Sequence, residues 1–163
     1  QIANIADEII SRGHRYHCEV LELGRVAAPF TIASALELTT GSSVYHLRCV
    51  HYEEDLAVQL EDRYVSPAMA PDFILQQFDD TLQPSRYLLN TIPVDEIEHI
   101  VDALLPSDED AKALEIDTDE PCLALMRRTW SSSRVVTYVK FLHPSTRYRL
   151  GSRYPVDASS HAG

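Results

Sequence analysis

Apolar and polar positions alternate by two along most of this chain and recur by threes and fours in short stretches between. Ile2, Ile5, Ile9 and Ile10 follow a helical spacing that stops at Gly13, so the chain opens with a short amphipathic helix. Tyr16, Cys18 and Val20 then alternate with polar neighbours, which predicts a strand to about Arg25. A short helix is expected over Ile32 to Leu38, closed by Thr39-Thr40-Gly41. Val44 to Glu53 and Leu56 to Val65 flank the acidic turn Glu53-Glu54-Asp55 and form the clearest hairpin of the sequence. Helices are expected over Asp72 to Phe78 and Pro84 to Asn90.

Two periods compete from Val94 to Leu105. Ile97, His99, Val101, Ala103 and Leu105 suit a strand, whereas Ile97, Ile100, Val101 and Leu104 suit a helix. The strand is favoured because Ser107-Asp108-Glu109-Asp110 is a capping sequence that starts its own helix, Glu109 to Leu114. A second hairpin joins Cys122 to Trp130 and Val135 to His143 around Ser131-Ser132-Ser133, with a further short strand over Thr146 to Leu150. Tyr154 to Gly163 reads as a loose tail. Strand pairs joined by short turns must be antiparallel, so the fold class is α+β: an antiparallel sheet flanked by helices.

Length and charge narrow the function. At 163 residues the chain builds one domain, not two full ones. Its 25 acidic and 14 basic side chains give a net charge of −11, which excludes general affinity for phosphate backbones, and no helix-turn-helix with a basic second helix is visible. No apolar run reaches the roughly 18–20 residues that span a bilayer, and a secretory leader is not apparent. Cys18, Cys49 and Cys122 are odd in number and far apart, which argues against a disulfide framework and for a cytoplasmic domain.

Catalytic and metal chemistry find little support. Seven histidines include His14 and His17 beside Cys18, and His46 and His51 on one strand, yet neither pair has a second ligand set at zinc spacing. His46 and His51, five apart, face opposite sides of a strand. No Gly-x-Ser-x-Gly elbow and no glycine-rich phosphate loop occurs. The first hairpin is more informative. A turn centred on Glu54-Asp55 sets Arg48 and Glu61 approximately opposite one another. They form either a plain surface ion pair, worth roughly 0–1 kcal/mol, or a pocket in which the arginine clamps an anion and the carboxylate receives a ligand N–H. Ser85 and Tyr87, beside Gln83-Pro84, add hydroxyls near such a mouth.

Taken in order, Arg48, then Glu61 and Tyr64 ahead of a proline, Ser85-Arg86-Tyr87, Pro121-Cys122-Leu123-Ala124-Leu125, Arg127-Arg128-Thr129 and Ser145-Thr146-Arg147-Tyr148-Arg149-Leu150 form a recognisable set. It resembles the UTRA domain, the effector-binding half of GntR-family transcription repressors, over roughly Ile5 to Tyr154. Further segments, Asn4 to Ile9 with Arg12-Gly13-His14, His46 to Tyr52, Gln59 to Val65, Arg128 to Ser131 and His143 to Gly151, resemble the histidine-utilization branch of that family.

The resemblance implies a chorismate lyase-like fold over residues 1–154 with a tail at 155–163, a homodimer, no cofactor, and urocanate as effector. A winged-helix DNA-binding domain would precede residue 1, and operator DNA would be met only through it. Carried over position by position, Arg48 matches the basic group that holds the effector's anionic end, Glu61 the acidic group at its polar end, and Ser85 the serine that helps bind the anion. Two departures from the family's sugar-phosphate sensors stand out: Val50 replaces a second arginine, and Val136-Thr137-Tyr138 replaces a stretch that often carries glutamate. Both suit a ligand with one carboxylate. Tyr64, Tyr138 or Tyr148 would sandwich the flat ring, with Thr137, His99 and Glu98 as further candidates. The rival classes are a chorismate-lyase-like enzyme, which would need a second arginine beside Arg48, and a dimerisation module without a pocket.

Overall fold

The computed structural model describes residues 4–157. Its strands β1 (Tyr16–Ala27), β2 (Ser43–Glu53), β3 (Leu56–Val65), β4 (Glu96–Leu104), β5 (Cys122–Ser131) and β6 (Arg134–Pro144) form one antiparallel sheet in the order β1-β2-β3-β6-β5-β4. Helices α1 (Ile5–Ser11), α2 (Phe30–Ala35), α3 (Pro84–Thr91) and α4 (Asp108–Leu114) are short and lie against it. The α+β class and the antiparallel pairing are as the sequence predicts, and the disputed segment is strand β4.

Local chemistry explains the boundaries. Asn4 caps α1 by accepting from the Ala6 amide, and Gly13 ends it at φ +80°. There the amides of Gly13 and His14 return to the carbonyls of Ile10 and Ile9, the paired bonds of a Schellman stop. Ser107 caps α4 through the Asp110 amide. Ser132 and Ser133 both take positive φ, the conformation a two-residue hairpin turn needs. Two expectations fail. Only Phe73–Leu75 of the 72–78 stretch is helical, as a single 3-10 turn, because Phe73 is drawn into the aromatic core between Tyr45 and Phe78. Thr146 to Leu150 is not a strand. Arg147 spends its guanidinium on the carbonyls of Ala57, Leu114 and Glu115, which pins this segment across the sheet end instead of along it. Residues 151–157 of the tail carry no regular element, and 158–163 lie outside the described residues.

The sheet has two covered faces. On one, α1, the 3-10 turn and α3 bury Ile9, Leu47, Phe73, Val65 and Leu88. On the other, α4 covers Leu60, Ala124 and Leu142, and α2 covers Val44 and Val135.

One irregularity decides which residues meet. Near the turn Glu53 pairs with Leu56 and Tyr52 with Ala57, but from His51 onward the partners are His51↔Gln59, Cys49↔Glu61 and Arg48↔Asp62. Val58 is the extra residue of a β-bulge, and it moves every later β3 side chain by one position.

Candidate functional site

The stripe Gln59, Glu61, Arg63 on β3 is polar at alternate positions, so all three side chains point to the α1/α3 face of a central strand. Glu61 and Arg63 are 1% and 2% exposed. Charges so deep must be paired. Glu61 Oε2 accepts from Arg63 Nε at 2.6 Å, and Glu61 Oε1 lies 2.8 Å from His51 Nε2. Arg63 also donates to Thr137 Oγ1 at 3.2 Å and to Ser85 Oγ at 2.7 Å, which ties α3 to the sheet. Burial alone would raise the Glu61 carboxyl, but the Arg63 charge and the His51 hydrogen bond outweigh it and hold the pKa at about 2. His51 is fixed from behind by Tyr16, whose hydroxyl sits 2.6 Å from Nδ1.

Beside this network a cavity of about 400 Å³ opens between the sheet, α1, the start of α3 and the segment around Tyr148. Arg127 on β5 is 9% exposed, its guanidinium stands 5.2 Å above the Phe141 ring, and its Nε donates to His99 Nε2 at 2.8 Å. Among the described residues no carboxylate lies within salt-bridge distance of it. Burial and then the neighbouring Arg63 lower its pKa to about 10, so it stays cationic at neutral pH. Arg127 is the one arginine among the residues that line the cavity, with Glu61 and Glu8 as its acidic groups, and Glu61 is already paired with Arg63 behind it.

Further along the same sheet face the polarity reverses. Gln59 Oε1 and His143 Nδ1 are buried without a hydrogen-bond partner among the described residues, and both residues line the cavity. They come from adjacent strands, one step beyond the Leu60↔Leu142 pair. Burial lowers the His143 pKa to about 4, against a smaller opposing effect of the Val58 backbone, which keeps the ring neutral. Tyr148 stacks on His143 with centroids 3.8 Å apart. The cavity therefore offers a spare cation at one side and buried acceptor atoms with an aromatic stack at the other.

Of the residues expected from sequence, Glu61, Ser85, His99 and Tyr148 line this cavity. Thr137 lies beneath, bonded to Arg63. Arg48 does not join them. The Val58 bulge turns Glu61 to the face opposite Arg48, which pairs instead with Asp62 and bonds Asp62 at 3.4 Å and Asp110 of α4 at 3.0 Å. Tyr64 and Tyr138 are register partners on that same far face, Tyr64 stacked on His46 at 4.3 Å and both packed toward α2. Tyr87 is part of the aromatic core, 6.0 Å from both Phe73 and Phe78. Glu98 turns away to Arg128. Arg127, Gln59 and His143 were missed, although strand alternation separates Arg127 from Arg128 and marks 59, 61 and 63 as one polar stripe.

Fold and pocket together define an α+β domain with a polar cavity against one face of its antiparallel sheet, and residues 11–149 match the model of the UTRA domain. The chain belongs to the UTRA family. It is 46% identical to the histidine utilization repressor of Pseudomonas aeruginosa over 94% of this chain and 61% of that protein. The solved C-terminal domain of the histidine utilization repressor from Pseudomonas syringae pv. tomato superposes with a TM-score of 0.83 at 41% identity, covering 87% of this chain and 100% of that one. The effector domain of PhnF from Mycobacterium smegmatis shares the fold at a TM-score of 0.82 and 17% identity, covering 94% and 95% of the two chains. The chain spans about three-fifths of the length of the curated relatives it matches. These relatives carry the names of regulators, not of enzymes, and no helix among the described residues is long and apolar enough to cross a membrane.

Proposed function

We propose that this chain is the effector-sensing domain of a cytoplasmic repressor of histidine utilization, and that its cavity takes urocanate or a close imidazole acid. The observation that carries this reading is the polarity of the cavity. Arg127 is a buried guanidinium whose hydrogen bonding among the described residues is confined to Nε, which leaves both Nη groups for a carboxylate. At the other end of the cavity Gln59 Oε1 and the lone pair of neutral His143 accept, so the ligand end that meets them must donate. A flat acid with a ring N–H at one end and a single carboxylate at the other meets both demands, and Tyr148 offers a face for its ring. The anion-holding role that the family resemblance gives to Arg48 passes here to Arg127, with Ser85 close by; Glu61 holds Arg63 and His51 in place.

Regulation requires that the ligand favour one arrangement of the whole repressor over another, since equal affinity for two states shifts neither. Asn4, Ile5 and Glu8 at the start of α1 line the cavity, and Asp7 is bridged to Arg86 of α3 at 2.7 Å. A ligand that draws Ser85 and α1 together thus acts on the helix that would lead to a DNA-binding half. A coupling of about 1–3 kcal/mol corresponds to roughly 5–150-fold in operator affinity. In the full repressor the domain would work as a homodimer on operator DNA.

Isothermal titration of the chain with urocanate tests the reading. One saturable site per chain, lost in Arg127→Ala and kept in Arg48→Met, is the expected result. Absence of binding at millimolar urocanate, or pyruvate release from chorismate, would replace it with the dimerisation or the lyase reading.

A further inference from the structure

Cys18 on β1 and Cys49 and His51 on β2 meet on the α1/α3 face of the sheet. Cys18 is paired in register with His51, and Cys49 is two residues from it on the same strand, so all three side chains point the same way. Their Sγ, Sγ and ring nitrogen lie within 4.8 Å of one another, and none of the three residues is more than 5% exposed. The third cysteine, Cys122, belongs to the opposite face.

We infer that Cys18, Cys49, His51 and Glu61 form a tetrahedral site for a zinc ion. Zinc takes thiolate sulfur at about 2.3 Å and imidazole nitrogen at about 2.0 Å, which sets sulfur–nitrogen edges near 3.5 Å in a tetrahedron. Cys49 Sγ stands 3.4 Å from His51 Nε2 before any ion is bound. Glu61 Oε1 supplies the fourth corner, 3.6 Å from Cys49 Sγ and 2.8 Å from His51 Nε2. Glu61 lies outside the 4.8 Å group formed by the other three atoms, so its carboxylate and Cys18 Sγ must draw together to complete the tetrahedron.

The surroundings have the form that zinc ligands need. A coordinating histidine is held by a hydrogen bond from its other nitrogen, and Tyr16 Oη occupies that place 2.6 Å from His51 Nδ1. A coordinating carboxylate is held by its second oxygen, and Arg63 Nε occupies that place 2.6 Å from Glu61 Oε2. Charge closes as well. Two thiols release their protons to solvent, the proton on His51 Nε2 passes to Nδ1 and is donated to Tyr16 Oη, and Zn²⁺ with two thiolates, a neutral imidazole and one carboxylate carries −1, which Arg63 neutralises. His51 and Glu61 line the cavity, which gives the ion its route in. Two thiolates among the ligands select a thiophilic ion over magnesium or calcium, and the carboxylate corner selects four-coordinate zinc over three-coordinate copper(I).

The test uses the reduced, chelator-treated chain and cobalt(II) as a spectroscopic stand-in for zinc. Expected are one equivalent of cobalt, a thiolate-to-cobalt charge-transfer band, the strong visible bands of a tetrahedral site, and displacement of all three by zinc. Cys18→Ser and Cys49→Ser should each weaken binding at least tenfold and dim the charge-transfer band, while Cys122→Ser keeps both. Because buried cysteine variants can fail to fold, the unsubstituted chain provides a second readout: zinc should raise its urea midpoint. No cobalt band, no rise in that midpoint, equal loss in Cys122→Ser, or binding of copper(I) but not of zinc or cobalt would each overturn the assignment.

Discussion

Arg127 Nε donates to His99 Nε2 at 2.8 Å across a directly paired position of β5 and β4. A guanidinium has only donors, so His99 must present a lone pair there and carry its proton on Nδ1. Burial first, and then the Arg127 charge, lower the His99 pKa and keep that ring neutral. The contact fixes the plane of the guanidinium above Phe141 and leaves its outer nitrogens for a ligand.

This arrangement makes Arg127 the first residue to change. A charge-assisted hydrogen bond contributes about 1.5–3 kcal/mol, and a tenfold change in affinity is about 1.4 kcal/mol. Arg127→Ala should therefore weaken urocanate roughly 10- to 100-fold, measured by titration calorimetry. His99→Phe removes only the acceptor that orients Arg127 and should cost a few-fold. An Arg127→Ala protein that binds urocanate as the unsubstituted chain does would remove the carboxylate from this end of the cavity.

The other end is tested by comparing two ligands. Gln59→Leu keeps the approximate volume of the side chain and deletes the acceptor, so it should lower affinity for urocanate about tenfold, the value of one buried hydrogen bond. It should leave a plain acrylate, which has no ring N–H, within about twofold. Equal losses for both ligands would place the ring elsewhere.

Arg48 has a structural task instead. It joins the centre of the sheet to α4 through Asp62 and Asp110, and its side chain is 10% exposed. Truncating one member of such a cluster strands two carboxylates with less compensation, although the partial exposure of Asp62 lets water offset some of the loss. Arg48→Ala should lower unfolding free energy by about 2–3 kcal/mol in urea melts, with urocanate affinity unchanged within threefold. A large affinity loss without a stability loss would return Arg48 to the ligand site.

The contrast between Arg48 and Arg127 shows what the sequence made legible. Turn residues, alternation and caps located all six strands and four of the helices, because each is a local property of a few neighbours. The family-like order of residues identified the fold for the same reason. The pocket depends on register, and register turned on one inserted residue. With the turn at Glu54-Asp55 and no bulge, Arg48 would lie opposite Glu61; Val58 slides the pairing to Arg48↔Asp62 and separates them across the sheet. Nothing in the run Leu56-Ala57-Val58-Gln59-Leu60 announces the bulge except that Gln59, Glu61 and Arg63 become a polar stripe on one face. Long-range partners were likewise hidden: Cys18 and Cys49 are far apart in sequence and meet only because β1 pairs with β2.

The last prediction concerns acid. His143 is buried against Tyr148 with a pKa lowered to about 4, whereas a histidine in the unfolded chain titrates near 6.5. The unfolded state therefore binds more protons between those two values, and stability must rise with pH across that window. Read downward, the contribution of neutral His143 is complete above about pH 6.5 and is lost progressively toward pH 4. The loss is on the order of 3 kcal/mol if the whole shift is expressed. Glu61, lowered from 4.5 to about 2, loses its share as pH falls between those two values, so most of its loss comes below that of His143. Urea midpoints measured at half-unit steps from pH 7 to pH 4 should fall with a slope that His143→Gln flattens. A profile equally steep in that variant would assign the acid sensitivity to other groups. The same titration carried out with urocanate should show a steeper fall, because a protonated His143 no longer accepts from the ligand ring.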